Sequence, residues 1–156
     1  MESCLKFPQG ISKFFQVKIG TRQGDVLSPT LFNLFINDII DQLQNVNSDP
    51  AIIDSYKVTT LLYADDLVII STSPKGLQSC IDVLSNYCKK WKLQINKDKS
   101  KIMIFEKNKQ KNVITPKFRI DGELLCEVSE FVYLGILLDK KCNLKSSADA
   151  LSNKGS

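Results

Sequence analysis

The sequence predicts an α+β fold in which helices pack against one face of an antiparallel sheet. Short runs of β-branched and aromatic residues end at turn-forming residues, a pattern typical of strands. Two longer stretches repeat apolar residues every three or four positions, a pattern typical of helices. With 156 residues, 43% of them hydrophobic and 24% charged, the chain has the size and composition of one globular domain.

The first half of the chain predicts a strand, a helix and a hairpin after an initial loop. Residues 14–20 read FFQVKIG, a strand that ends at a glycine and that we expect at a sheet edge. Ser28 and Pro29 predict the N-cap and the first residue of a helix. The apolar residues at helical spacing are Leu31, Phe32, Phe35, Ile36, Ile39 and Leu43. Residues 58–71 hold two short apolar runs around two aspartates, which predict a hairpin.

A second helix is predicted over residues 77–93, after a break at Pro74 and Gly76. Its apolar residues recur on one face that ends at Trp91, which we expect in the core.

The last part of the chain predicts strands and turns. Residues 101–105, KIMIF, predict a strand, and residues 130–138, EFVYLGILL, predict another. Between them, the Asp-Gly pair within residues 118–128 predicts a hairpin with a type I′ turn. The polar residues 140–156 show no core-forming pattern, and we expect this tail to be disordered.

Composition excludes several classes of function. No run of 18 apolar residues is present, so we expect no membrane partner, and the first residues lack the pattern of a signal peptide. The five cysteines are scattered without a CxxC pair, which predicts reduced thiols in an intracellular protein that is not secreted. The chain contains no histidine, which removes histidine-based nucleophile activation and metal ligation.

Positive charge is concentrated in residues 89–119, where eleven Lys or Arg stand against Asp98 and Glu106, a net charge of +9. A single lysine is most often a solvated surface residue. A concentration of this kind favours a polyanionic partner. Residues 106–117 within this segment predict an exposed, lysine-rich loop.

The central observation is the aspartate pair in LLYADDLVII, residues 61–70. Burying a carboxylate in a strand costs several kcal/mol unless it is paired or bound to metal. One interpretation is a tight turn tip, where aspartate is common, although no glycine or asparagine is present to supply a positive φ. The other is a Mg²⁺ site, since hard cations take carboxylate and phosphate oxygens. Tyr63 lies two residues before Asp65, on the same side of the strand by the period of two.

The segment YADD, with other stretches in the same order, resembles the reverse transcriptases of non-LTR (LINE-type) retrotransposons. These stretches are GTRQGDVLSPTLFNLFINDI, KLQINKDKSKIMIF and FVYLGILLD. The resemblance covers about residues 10–140. It implies that residues 1–139 are a partial reverse transcriptase domain, the second half of a polymerase palm, and that 140–156 are a tail.

The resemblance implies catalytic roles around the hairpin. Asp65 and Asp66 match the ligands of two Mg²⁺ ions in the complete enzyme, with Mn²⁺ as an alternative, and Tyr63 matches the aromatic that approaches the primer end. Lys99 matches a lysine near the triphosphate, with Asn96 shaping its turn. Lys97 or Lys101 could take the place of Lys99.

Further matches imply contacts with the substrates, which are an RNA template, a DNA primer and deoxynucleoside triphosphates. The residues are Arg22, Gln23 and Gly24 beside the nucleotide, and Tyr133, Leu134 and Gly135 in the hairpin that grips the primer. The alternatives are an ordinary turn before a helix for the first set and a plain core strand for Leu134.

The family pattern also requires parts that these residues do not match. They are another carboxylate on an upstream strand, the fingers and the thumb, so we expect a fragment that needs the N-terminal half of the polymerase as a partner. Three hypotheses follow. The chain is an incomplete RNA-directed DNA polymerase, a catalytically inactive retroelement remnant that keeps nucleic-acid binding, or an α+β domain whose Asp-Asp turn is incidental.

Overall fold

A computed structural model describes residues 2–16, 24, 26–105 and 115–141 of the chain. Its helices are α1 (Ser28–Ile36), α2 (Asp38–Gln44) and α3 (Pro74–Trp91). Its strands are β1 (Glu2–Ser3), β2 (Lys6–Phe7), β3 (Gly10–Ile11), β4 (Phe15–Gln16), β5 (Ala51–Ile53), β6 (Tyr56–Val58), β7 (Thr60–Tyr63), β8 (Asp66–Ile69), β9 (Lys101–Ile102), β10 (Arg119–Ile120), β11 (Glu123–Leu124), β12 (Cys126–Glu127), β13 (Glu130–Tyr133) and β14 (Ile136–Asp139). The α+β class is therefore confirmed.

The strands pair two by two, rather than in the single antiparallel sheet that we predicted. The described residues form seven two-stranded sheets, and the pair of β9 with β12 is parallel. The strands are only two to four residues long. Most of them bond to a neighbour across a short turn, which satisfies backbone groups locally without a wider sheet.

The core lies between the three helices and the inner face of the β7–β8 hairpin. Its buried members are Ile36, Ile39, Leu43, Cys80, Tyr87 and Cys88, and half-buried Leu62, Leu67 and Ile69 pack against them. A smaller cluster joins α3 to the later strands through Ile81, Ile102, Phe118 and Ile120. Helix α3 therefore contributes to both clusters and joins them.

The predicted loop at the beginning of the chain contains paired strands. β1 pairs with β4 and β2 pairs with β3, so residues 2–16 form one long antiparallel hairpin. The predicted strand over 14–20 is seen only as Phe15–Gln16, and residues 17–20 lie outside the described part.

The predicted first helix is two helices that meet at Asn37. Tyr87 from α3 lies at this junction, where its hydroxyl donates to Asp38 Oδ1 at 2.5 Å and lies 3.1 Å from the carbonyl oxygen of Phe35. Burial, and then the bond to Asp38, raise the pKa of Tyr87. The predicted N-cap role of Ser28 is wrong. Leu27 is the N-cap in helical conformation, so Ser28 already belongs to the helix.

Helix α3 begins where the sequence predicted a break. Pro74 is its first residue and suits that position because its missing N–H needs no partner. The Ser73 side chain caps the helix by accepting a hydrogen bond from the Gly76 amide at 2.9 Å. At the other end, Trp91 is 39% exposed rather than in the core, and its ring meets Phe35 edge-on at 5.3 Å.

The Asp-Gly hairpin is confirmed, and the predicted single strand over 130–138 is wrong. Asp121 and Gly122 have φ of +51° and +81° between β10 and β11, the backbone that a type I′ turn requires. Residues 130–139 form a second hairpin, since β13 pairs with β14 across a two-residue turn. The strand predicted over 101–105 is limited to Lys101–Ile102. The loop and tail predictions fall mainly on 106–114 and 142–156, outside the described residues.

Candidate active site at the β7–β8 hairpin

The aspartates lie at the tip of the β7–β8 hairpin. Tyr63 pairs directly with Asp66, so Ala64 and Asp65 form a two-residue turn. The turn requires a positive φ, and Ala64 adopts it at +52° although it has a Cβ. A left-handed conformation costs a non-glycine residue about 1 kcal/mol or more, and such outliers often mark functional sites.

The two faces of this hairpin differ in burial. Leu62, Leu67 and Ile69 face the helices and pack on the core, whereas Tyr63 on the opposite face is 64% exposed. Because directly paired residues share a face, Tyr63 lies on the same side as Asp66. The predicted alignment of Tyr63 with Asp65 is wrong, because the strand ends at Tyr63 and the period of two does not continue through the turn.

Both carboxylates are exposed, so the desolvation cost expected from the apolar flanks does not arise. Neither Asp65 nor Asp66 forms an ion pair with any described residue. Within the described ranges, no three side chains of Asp, Glu, His or Cys type are grouped to hold a metal. Two adjacent hard oxygen donors fit Mg²⁺, which takes one or two carboxylates from a protein and fills its other positions with water and phosphate oxygens.

Asn96 shapes the turn that carries Lys99. Its Oδ1 accepts a hydrogen bond from the Lys99 amide at 3.1 Å, and its carbonyl oxygen accepts one from the Ser100 amide at 2.9 Å. Lys97 is engaged elsewhere, since its Nζ lies 2.6 Å from Glu123 Oε1 and this bond raises the pKa of Lys97. The Lys99 side chain is exposed and pairs with no described acid.

Of the turn that is predicted to lie beside the nucleotide, at residues 22–24, the structure describes only Gly24. Its φ is +84°, and a Cβ there would meet no described atom within 4 Å, so glycine is required by the backbone rather than by crowding. Arg22 and Gln23 lie outside the described residues.

The predicted primer-grip residues lie at the tip of the β13–β14 hairpin. Leu134 and Gly135 form its turn with φ of +48° and +82°. Leu134 is 49% exposed, so the alternative of a plain core strand is wrong for it. Tyr133 is half-buried, and the register places it beside Ile136 on the same face.

The basic segment is partly neutralised by two acids that the sequence reasoning missed. Lys89 Nζ lies 2.6 Å from Asp121 Oδ1, and Glu123 pairs with Lys97. The hydrogen bond from Lys89, and then one from Ser85, lower the pKa of Asp121. Both acids lie within the four residues that follow the basic segment 89–119. Their closeness in sequence is the signal that could have predicted this neutralisation.

The chain matches a known protein family over most of its length. The family described as reverse transcriptase (RNA-dependent DNA polymerase) matches residues 1–138. The chain belongs to this reverse transcriptase family. Its relatives come from non-LTR retrotransposons. A probable RNA-directed DNA polymerase from transposon BS of Drosophila melanogaster is 30% identical over 80% of this chain.

Two other relatives extend the comparison. An RNA-directed DNA polymerase from mobile element jockey of Drosophila funebris is 28% identical over 88% of this chain. A retrovirus-related Pol polyprotein from type-1 retrotransposable element R2 of Popillia japonica is 25% identical over 77% of it. The chain spans only 14%, 15% and 21% of the lengths of these three relatives. Across its described residues, no helix has the length and apolar character needed to cross a membrane.

Proposed function

We propose that this chain supplies the metal-binding hairpin of the palm in an RNA-directed DNA polymerase. The observation that carries the proposal is the position of Asp65 and Asp66 at an exposed hairpin tip whose opposite face is packed into the core. The strained φ of Ala64 supports it, because the hairpin keeps a costly turn that presents both carboxylates. Family membership supports the reaction class.

The proposed reaction is the transfer of a deoxynucleotide onto a DNA primer, with RNA as the template. The primer 3′ hydroxyl gives up its proton to solvent, its oxygen bonds to the α-phosphorus of the incoming deoxynucleoside triphosphate, and the bond from that phosphorus to the leaving pyrophosphate breaks. Asp65 and Asp66 would hold the divalent metals, Mg²⁺ or Mn²⁺. Two such ions, when bound, would stabilise the negative charge on the attacking and leaving oxygens of an in-line displacement. A further carboxylate is required, and we propose that the N-terminal half of the polymerase supplies it.

Lys99 is the best candidate among the nearby lysines for the leaving pyrophosphate. Lys97 is held by Glu123, and Lys101 lies within β9, whereas Lys99 extends from a turn that Asn96 shapes. An ammonium group there would neutralise phosphate charge or give a proton to the departing oxygen. Arg22, Gln23, Gly24 and Tyr63 are proposed to contact the nucleotide and primer end, and Tyr133, Leu134 and Gly135 the primer strand.

Primer extension on poly-A template with an oligo-dT primer and Mg²⁺ tests this proposal. We expect no incorporation by these 156 residues alone, and incorporation once they are joined to the N-terminal half of a related polymerase. In the joined protein, Asp65→Ala abolishes incorporation. Asp54→Ala changes little, because Asp54 is an exposed residue in the two-residue turn of another hairpin, β5–β6. Incorporation by the chain alone refutes its incompleteness, and full activity of Asp65→Ala refutes the metal role.

A second candidate function is nucleic-acid binding by an inactive remnant. It is favoured by the absence of a third metal-binding carboxylate grouped with the pair among the described residues, and by exposed lysines at positions 90, 92 and 99. The expected result is affinity for an RNA–DNA duplex that falls steeply as salt rises, because bound lysines displace counterions. Binding that does not change with salt contradicts it.

A further inference from the structure

The β10–β11 hairpin is attached to α3 by polar groups rather than by its apolar residues alone. Asp121 at its turn accepts hydrogen bonds from Lys89 and Ser85, and Glu123 accepts one from Lys97. On the other strand, the Gln78 side chain donates to the Arg119 carbonyl oxygen at 2.8 Å and accepts from its amide at 3.0 Å. Two lysines of the basic segment are therefore held by acids of one hairpin.

Both of these lysines and one of the acids line the same surface depression. Lys89, Lys97 and Asp121 border an open cavity of about 320 Å³, and the apolar part of its lining is Cys88, Leu93 and Ile95. Two lysines that line one depression offer a site for a phosphodiester, since lysine binds phosphate as a point charge. In the structure, the carboxylates of Asp121 and Glu123 take the position that a phosphate oxygen would take on these lysines.

We propose that Asp121 and Glu123 compete with a nucleic-acid backbone for Lys89 and Lys97. This rests on the nucleic-acid binding proposed above. The β10–β11 hairpin then acts as an internal substitute for phosphate, which keeps both lysines paired until a nucleic acid displaces the acids.

The exchange is feasible because both ion pairs reach the solvent. The side chains of Lys89 and Glu123 are 63% and 66% exposed. Exposed ion pairs add little stability, so a polyanion that releases counterions can replace them. The hairpin stays in place when these ion pairs break, because it is also held by the hydrogen bonds of Gln78 and by the burial of Phe118 and Ile120.

Asp121→Asn and Glu123→Gln test the competition in the full chain, by fluorescence anisotropy of a labelled RNA–DNA duplex across a salt series. Asparagine suits the positive φ of Asp121, so the turn is kept. Each substitution frees one lysine to contact a phosphate. Relative to the wild type, the affinity for the duplex should rise by up to about eightfold at 0.1 M salt, and the slope of log K against log salt should steepen by about 0.9.

Asp54→Asn is the matched control. Asp54 is also an exposed aspartate at the first turn position of a two-residue hairpin, with φ of +57°, and it does not border the cavity. It makes the same change in net charge, and we expect its slope to equal that of the wild type. If Asp121→Asn binds no more tightly than Asp54→Asn, competition is overturned while nucleic-acid binding stands.

Lys89→Ala separates competition from a change in folding. We expect it to weaken binding little in the wild type, where Lys89 is held by Asp121, and to remove the gain in the Asp121→Asn background. Equal effects of Lys89→Ala in both backgrounds contradict the inference. If no variant binds duplex with a salt dependence, the nucleic-acid surface itself fails, and the inference fails with it.

Discussion

Gly76 offers a sharp test because helix propensity and packing predict opposite signs for Gly76→Ala. Gly76 lies in the first turn of α3, and replacing glycine by alanine within a helix ordinarily stabilises by about 1 kcal/mol. A Cβ at Gly76 would, however, lie 2.4 Å from the carbonyl oxygen of Ser48 and 2.7 Å from the hydroxyl of Ser71. The nearer atom belongs to the backbone, so it cannot rotate away.

The cost of this overlap exceeds the gain in propensity. Overpacking costs about 1–3 kcal/mol, and a rigid backbone neighbour favours the upper end of that range. The Ser71 hydroxyl also donates to the Ser48 carbonyl oxygen at 2.5 Å, and losing that bond removes about 1 kcal/mol more. Gly76→Ala should therefore lower the free energy of unfolding by about 3 kcal/mol once the helix gain is included.

Urea denaturation followed by circular dichroism measures this change, with an unchanged m-value as the sign that the same transition is observed. Asn86→Ala is the control, because Asn86 is exposed on the same helix and the substitution should stabilise by a few tenths of a kcal/mol. If Gly76→Ala is as stable as the wild type, the close approach of α3 to Ser48 does not exist in solution.

The remaining predictions concern the hairpins. Thr60 Oγ1 is buried without a hydrogen-bond partner in the described structure, so Thr60→Val should raise the free energy of unfolding by about 1 kcal/mol, whereas Thr60→Ser, which keeps the hydroxyl, should not. At the β7–β8 tip, Ala64→Val should destabilise by about 1 kcal/mol relative to Ala64→Gly in the same urea assay, because β-branched residues avoid positive φ. The pKa of Asp121 is lowered by its bond to Lys89, so its contribution to stability is present above its ordinary pKa of 3.8 and is lost as pH falls through the lowered value. The stability difference between wild type and Asp121→Asn should therefore shrink below about pH 4, and a constant difference from pH 7 to pH 2 contradicts this.

Local signals in the sequence predicted much of the fold. The Asp121-Gly122 turn and the hairpin around the two aspartates depend on residues close in the chain, and both are confirmed. The body of α3 follows from its apolar spacing, although its start does not. Gly76 indicates a break when read alone, but it allows close packing against Ser48, a residue 28 positions earlier.

The parts that the sequence could not predict depend on long-range packing or on tolerated strain. Leu134 at φ +48° replaces the asparagine or aspartate that usually signals a type I′ turn, so the local pattern predicts one strand where the family resemblance implies the hairpin β13–β14. The pairing of β9 with β12 joins segments about 25 residues apart, and no local pattern encodes it. The roles of the candidate site residues stay predictions, since they depend on ligands and on a further carboxylate.

The anchoring of the β7–β8 hairpin explains how strain at its tip can persist. Its inner face packs on the core cluster that the helices form. The chain after β8 is bound to the preceding loop, where the Thr72 amide donates to the Asp49 carbonyl oxygen at 2.7 Å and the Ser73 hydroxyl donates to the Asp49 side chain. These bonds fix the base of the hairpin, and the apolar packing fixes its inner face. The tip is therefore positioned by the helices of the core and by the Asp49 loop. Substitutions on the exposed apolar face of α1, at Leu31 and Leu34, should leave its geometry unchanged.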